Sequence, residues 1–393
     1  MHLEEIRALE KRYVMQTYGR NEIALVSGEG ARLRDSEGKE YIDLTSGIGV
    51  NCLGYHHPAL SAAISDQAQK LMHCSNLFYS EPMAQVAEHL VKSTGLSRVF
   101  FANSGAEANE AMIKTARKYS SDRYGKDRYK IITLRQSFHG RTMTTLMATG
   151  QDKFHQYFYP LPEGFAYVEA GDLAQFKYCA DEHVCAVIME MIQGEGGVLP
   201  LDQAFVQEVS AYCKAHDILV CVDEVQTGIG RTGTLFCYEQ YGIEPDIVSM
   251  AKGLGGGVPI GAILCGEKCA DTLQPGQHGS TFGGNLLACR AAQTVLSVVD
   301  QPQFLASVKE KGEYIREQLL AMHSPAIREV RGMGLMLGIG VDPQKRSDYV
   351  RALQEKGVLV LTAGEDTIRL LPPLVITKED IDQALACMKE VLK

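Results

Sequence analysis

Asp217-Ile218-Leu219-Val220-Cys221-Val222-Asp223-Glu224-Val225-Gln226 contains an apolar run closed by two acids and reads as a buried strand. A second run, Ile247-Val248, follows Pro245-Asp246 and leads into Ser249-Met250-Ala251-Lys252-Gly253-Leu254-Gly255-Gly256-Gly257. Lys252 lies 29 residues after Asp223, about the length of one strand-crossover-strand unit. Both groups can therefore stand at the same end of one sheet. Outward from this pair, strand-like and helix-like segments alternate between about Pro58 and Gln293. Arg98-Val99-Phe100-Phe101, Lys130-Ile131-Ile132-Thr133, Ala186-Val187-Ile188-Met189 and Ala262-Ile263-Leu264-Cys265 are the clearest strands. The alternation predicts an α/β domain with a mainly parallel sheet flanked by helices.

The flanks read differently. Gly28 to Leu33 and Tyr41 to Leu44, separated by Asp35-Ser36-Glu37-Gly38, predict a strand-turn-strand. After the large domain come a helix around Gln303–Met322 and short strands near Val358–Leu361 and Ile368–Leu370. A last amphipathic helix begins at Thr377, with Asp380 three residues on. The expected division is a large domain, 56–295, and a smaller α+β domain built from both termini, 1–55 and 296–393.

Composition narrows the function classes. A chain of 393 residues has ample core for two domains, and 45% hydrophobic with 22% charged residues is ordinary for a globular protein. The net charge of −9 gives no electrostatic reason to expect nucleic acid or an acidic membrane as partner. No apolar run approaches the ~20 residues a membrane helix needs. The charged, periodic stretch Met1–Arg12 does not resemble a secretory signal. The eleven cysteines include no C-x-x-C pair, and several lie in apolar surroundings. They read as reduced core residues of a cytoplasmic protein, with no metal site.

A lysine where a strand runs into glycines can be partly desolvated and available as a neutral amine toward an aldehyde. A carboxylate at the same sheet end can keep a pyridine nitrogen protonated. Those are the two protein groups that pyridoxal 5'-phosphate needs as an electron sink. An Asp-Glu pair capping a strand in solvent remains the plain alternative at this point. Farther upstream, Asn103-Ser104-Gly105-Ala106-Glu107-Ala108-Asn109-Glu110 follows a strand and opens a helix, with Ala108, Met112, Thr115 and Tyr119 on one stripe. A helix N-terminus suits a phosphate, although a serine cap on a core helix is the commoner meaning of so short a motif.

Val222 to Gly233 followed by Ala251-Lys252-Gly253-Leu254-Gly255-Gly256-Gly257 resembles the class III, fold-type I aminotransferases. Within these it is most similar to the acetylornithine aminotransferases and their ornithine-transaminase relatives, from about Gly28 to the C-terminus. The resemblance implies a fold-type I pyridoxal-phosphate enzyme, a homodimer with active sites at the interface. It implies Lys252 and Asp223 as catalytic residues, and Ser104, Gly105 and Ala106 as phosphate contacts. Phe138, in Phe138-His139-Gly140-Arg141-Thr142, and Val225 fall at the two ring faces, and Gln226 at the phenolic oxygen. His139 is then a supporting residue. Ser280 and Thr281, in Gly279-Ser280-Thr281-Phe282-Gly283-Gly284-Asn285, reach the phosphate of the other subunit. Arg141 and Arg369 take substrate carboxylates, which a planar guanidinium binds by two parallel hydrogen bonds. Glu195 pairs with Arg369 when the diamine substrate is bound.

The donor is indicated by Ser46-Gly47-Ile48-Gly49-Val50-Asn51-Cys52-Leu53-Gly54-Tyr55-His56-His57-Pro58, similar to a stretch of the acetylornithine enzymes. Ornithine transaminases place a tyrosine where this chain has Ile48. A phenol there can hydrogen-bond a free α-amino group; isoleucine cannot. Tyr18 aligns loosely with a second substrate-site tyrosine. Met191 and Leu286 replace the family's usual prolines, and Tyr55 its usual histidine. The implied reaction joins N2-acetylornithine and 2-oxoglutarate to give N-acetylglutamate 5-semialdehyde and glutamate, a step of arginine biosynthesis. Ornithine, 4-aminobutyrate and N-succinylornithine stand as alternative donors.

Overall fold

The structure, a computed structural model, describes residues Met1–Lys393. Its central sheet has seven strands in the order Arg98–Ala102, Gly261–Cys265, Ile247–Met250, Leu219–Asp223, Val184–Met189, Lys130–Leu134, Phe165–Val168. Gly261–Cys265 runs against both its neighbours, and the other neighbouring pairs are parallel. The cause is local. Residues 251–260 link Met250 to Gly261, and a parallel crossover needs about a dozen residues or more. The chain must fold straight back, which fixes Lys252 at the turn.

Alternate residues of the same strands enter two separate cores. Ile131, Ile188, Cys221, Ile247 and Ile263 pack with Ala108, Met112 and Tyr119 of the helix Gly105–Tyr124. Ile132, Val187, Val222, Val248 and Leu264 face the larger core, which includes Ala292, Val295 and Leu296 of the helix Leu286–Val299. Both faces of these strands are buried, so their sequences are continuously apolar instead of alternating. The stripe expected on the helix after Ser104 is buried along its whole length.

The two flanks meet in one sheet. Val358–Leu359 pairs in parallel with Glu40–Asp43, extending the antiparallel strands Leu25–Glu29 and Arg32–Asp35. The stretch Gly28 to Leu33, expected as one strand, is a hairpin instead, because Gly30 turns the chain at φ +56°. A further sheet joins Glu329–Met333, Met336–Gly340, Thr367–Leu370 and Leu361–Ala363. Its first two strands form a hairpin that hydrophobic pattern did not reveal. The helices Pro302–Ala321 and Lys378–Val391 follow the expected positions. Thr377 Oγ1 caps the latter by accepting the Asp380 N–H at 3.1 Å. All eleven cysteines are free thiols, and only Cys74, Cys179 and Cys387 are partly exposed. No helix is long and apolar enough to cross a membrane.

Candidate active site

A cleft of about 420 Å³ opens where the parallel strands end, the general location of ligand sites in open α/β sheets. Asp223 ends one central strand, Lys252 follows the next, and Glu190 and Phe138 follow the two on the other side. Ser104, Gly105, Ala106, Val225, Gln226, Glu195 and Arg141 complete the wall.

Lys252 adopts φ +42°, imposed by the tight return between strands. Its side chain reaches the cleft yet has lost most of its hydration. Burial, reinforced by the Arg369 charge, pushes the amine down to about 8, and Glu195, Asp223 and Glu190 only partly oppose this. A neutral amine attacks an aldehyde; an ammonium does not. Uptake of pyridoxal phosphate by cofactor-free protein should therefore accelerate with pH around a midpoint near 8. A midpoint near ~10.4, that of an unperturbed lysine, would contradict this.

Asp223 is buried and fully engaged. Its Oδ2 accepts from His139 Nδ1 at 2.8 Å and from Asn109 Nδ2 at 2.7 Å, and its Oδ1 from the Val225 N–H at 3.0 Å. Burial disfavours a charged His139 ring, but the hydrogen bond and charge of Asp223 prevail and hold it raised. His139 thus braces the aspartate at the cleft wall. Asn109 is fixed in turn by Ser249 Oγ, 2.6 Å from its Oδ1. Glu190, not foreseen from the sequence, accepts the Phe138 N–H at 2.9 Å. Burial pushes its carboxyl well above the usual carboxylate range.

Ser104 caps the helix Gly105–Tyr124 by accepting the Glu107 N–H at 3.2 Å, so its hydroxyl serves the helix while the first turn faces the cleft. Gly105 is required there: a Cβ would lie 2.7 Å from Val225 Cγ1. Phe138 meets Phe154 edge-on at 5.7 Å, and the Arg141 guanidinium stacks 4.2 Å from the Phe154 centroid, exposed and without a carboxylate partner. Arg369 Nη1 lies 2.6 Å from Glu195 Oε1 and donates to Gln226 Oε1 at 3.1 Å. Its Nε is buried with no acceptor. Burial disfavours the Glu195 carboxylate, but the guanidinium holds it below the usual range.

Five of the residues expected at the site do not line the cleft; Arg369 meets it only through Glu195 and Gln226, which do. Ser280 takes a hydrogen bond from Asn103 Nδ2 at 3.0 Å on an outer loop, and Thr281 is exposed beside it. Ile48 and Tyr18 are exposed at 44% and 75%.

This chemistry fits pyridoxal phosphate: a desolvated lysine, a fixed carboxylate, a helix N-terminus and two apolar flanks converge on one cleft. The chain matches the class-III aminotransferase family model over residues 13–392 and belongs to that family. It is a pyridoxal-phosphate-dependent aminotransferase of fold-type I. Among its relatives, an acetylornithine aminotransferase from Haemophilus ducreyi is 50% identical, covering 100% of this chain and 99% of the relative. One from Caldanaerobacter subterraneus subsp. tengcongensis is 50% identical over 98% of both. Ornithine aminotransferase from Toxoplasma gondii superposes with a TM-score of 0.96 at 32% identity, over 100% of this chain and 95% of that one. N-acetylornithine aminotransferase from Stenotrophomonas maltophilia gives 0.84 at 38%, over 98% and 97%.

Proposed function

We propose that the enzyme transfers the terminal amino group of N2-acetylornithine to 2-oxoglutarate, giving N-acetylglutamate 5-semialdehyde and glutamate, a step of arginine biosynthesis in the cytoplasm. The observation that carries this is the Glu195–Arg369 pair at 2.6 Å, with Arg369 Nε left free. Masked by Glu195, Arg369 offers no second carboxylate site to a donor whose reacting end is an alkyl amine. Turned away, Glu195 exposes a fork for a dicarboxylic keto acid, with Arg141 taking the other carboxylate. The apolar Ile48 and the relatives' names support an acylated donor. Ornithine is the second reading, favoured by the 0.96 superposition on the Toxoplasma enzyme.

Lys252 would hold the cofactor's aldehyde, Asp223 its pyridine nitrogen, Phe138 and Val225 its faces, and Gln226 its phenolic oxygen. The N–H groups at Ser104, Gly105 and Ala106 would take its phosphate. When bound, pyridoxal phosphate supplies an electron sink for the carbon that loses a proton. Freed when the donor's terminal amine takes its place, Lys252 Nζ would accept the proton from the carbon bearing that amine and pass it to the cofactor, and the same groups would act in reverse on the keto acid. The large unit, 56–295, supplies the cofactor groups, and the small one, 1–55 with 296–393, supplies Arg369.

Replacing Arg369 with alanine should raise KM for 2-oxoglutarate by ~100-fold, the scale of truncating one partner of a buried charged contact. Donor KM should change far less. Glu195→Gln should act oppositely, weakening the donor and strengthening the acceptor. Steady-state rates with each substrate varied would show it, and equal effects on both would contradict the exchange.

Each site is completed by a second copy of the chain, through the partner's Ser280 and Thr281. Leu77, Phe78 and Tyr79 are exposed at 86%, 67% and 106%, and Phe282 at 59%. Asn76 Nδ2 ties this segment to the loop, donating to Ser280 O at 3.0 Å and Gly283 O at 2.8 Å. The apolar patch and the phosphate loop thus form one surface, suited to a like partner. Light scattering should give twice the chain mass of 43.1 kDa. Phe78→Asp should give a monomer that has lost its cofactor; a monomeric wild type with full activity would exclude the shared site.

A further inference from the structure

Ser46, Gly47, Ile48 and Gly49 adopt φ of 42°, 63°, 66° and 77° in succession. A positive φ is unremarkable for glycine, but for a β-branched residue it is a true outlier. Such a conformation persists only where the surroundings over-determine it. Here they are specific. Asp43 is wholly buried and forms no salt bridge. Its Oδ1 accepts the Thr45 N–H at 2.8 Å, and its Oδ2 accepts the Ser46 N–H at 2.9 Å and the Tyr55 hydroxyl at 2.7 Å. From the other side Ser46 Oγ donates to Leu371 O at 2.6 Å, two residues past Arg369. The loop borders the cleft: Val50 lines it, and a Cβ on Gly49 would lie 4.0 Å from Gln226 Cγ.

We infer that Asp43 and Tyr55 are positioning residues for donor choice, holding the left-handed loop so that Ile48 is presented to the acylated end of the donor. This rests on the proposed N2-acetylornithine activity. Tyr55 is the adjustable member of the clamp. The two backbone donors to Asp43 are fixed by chain geometry, whereas Tyr55 reaches back across the loop and closes it. Without its hydroxyl, one oxygen of a buried carboxylate loses a charge-assisted hydrogen bond, and the loop can relax toward ordinary dihedrals. Ile48 then swings with it. The chain's tyrosine stands where the resembled family has histidine, and both side chains can donate to a carboxylate.

The test compares kcat/KM for N-acetylornithine and for ornithine in wild type, Tyr55→Phe, Tyr55→His and Ser46→Ala, with thermal midpoints and KM for 2-oxoglutarate alongside. Tyr55→Phe should cut the preference for the acetylated donor by ~10-fold, the scale of one hydrogen bond to a charged group. KM for 2-oxoglutarate should hold. Tyr55→His should restore most of the preference. Ser46→Ala, which cuts the anchor to Leu371 and spares Asp43, should lower it independently, and decides the matter if Tyr55→Phe does not fold. A wild type without the preference would refute the proposed donor. A wild-type preference that both variants leave intact, or a loss shared equally by the two donors and 2-oxoglutarate, would overturn the positioning role.

Discussion

Lys252→Ala should lower kcat by at least ~10⁴-fold, because one side chain both holds the cofactor's aldehyde and moves the proton. The protein should still fold. Removing a half-hidden amine that burial has already pushed down to about 8 relieves a desolvation cost instead of exposing a partner, since Lys252 forms no salt bridge. Its thermal midpoint should match or exceed that of the wild type when both lack cofactor. The visible absorbance of lysine-bound cofactor should vanish, and soluble amines should restore part of the turnover. A variant that turns over at more than a hundredth of the wild-type rate would remove Lys252 from the chemistry.

Asp223→Ala should cost both activity and stability, and the combination separates it from Lys252. Losing a preorganised charge that stabilises the reacting state costs ~10²–10³ in kcat. The same change strands His139 and Asn109, which give Asp223 Oδ2 hydrogen bonds of 2.8 and 2.7 Å inside the core. Breaking a buried charged contact by deleting one partner costs ~3–5 kcal/mol. Asp223→Asn, which keeps one carbonyl oxygen for these donors, should recover much of the stability and little of the rate. Denaturant midpoints of cofactor-free protein measure the first effect and single-turnover rates the second. Normal stability in Asp223→Ala would contradict the buried network.

Much of this architecture was legible wherever one residue's environment follows from its neighbours in sequence. The apolar strands, the stripe from Ala108 to Tyr119 and the Thr377 cap are of that kind, and the motifs around Asp223 and Lys252 located the cleft. Features set by tertiary contact were not legible. Glu190 looks like any acid after a strand until it is seen to accept the Phe138 N–H, 52 residues away in sequence. Asn109 carries no mark that it brackets Asp223. The reversal of Gly261–Cys265 follows from the length of a link, which hydrophobic pattern does not weigh. Nor does pattern show the strain at Ile48, because isoleucine is a poor choice for φ +66° and contacts from distant residues, among them Asp43 and Leu371 O, hold the loop there.

The most direct measurement is a half-reaction without keto acid, following the cofactor's absorbance on the holoenzyme. N-acetylornithine should convert the aldehyde form of the cofactor to its amine form at one equivalent per chain, 2-oxoglutarate should reverse it, and ornithine should react more slowly. No conversion by N-acetylornithine, or conversion undiminished in Lys252→Ala, would contradict the account.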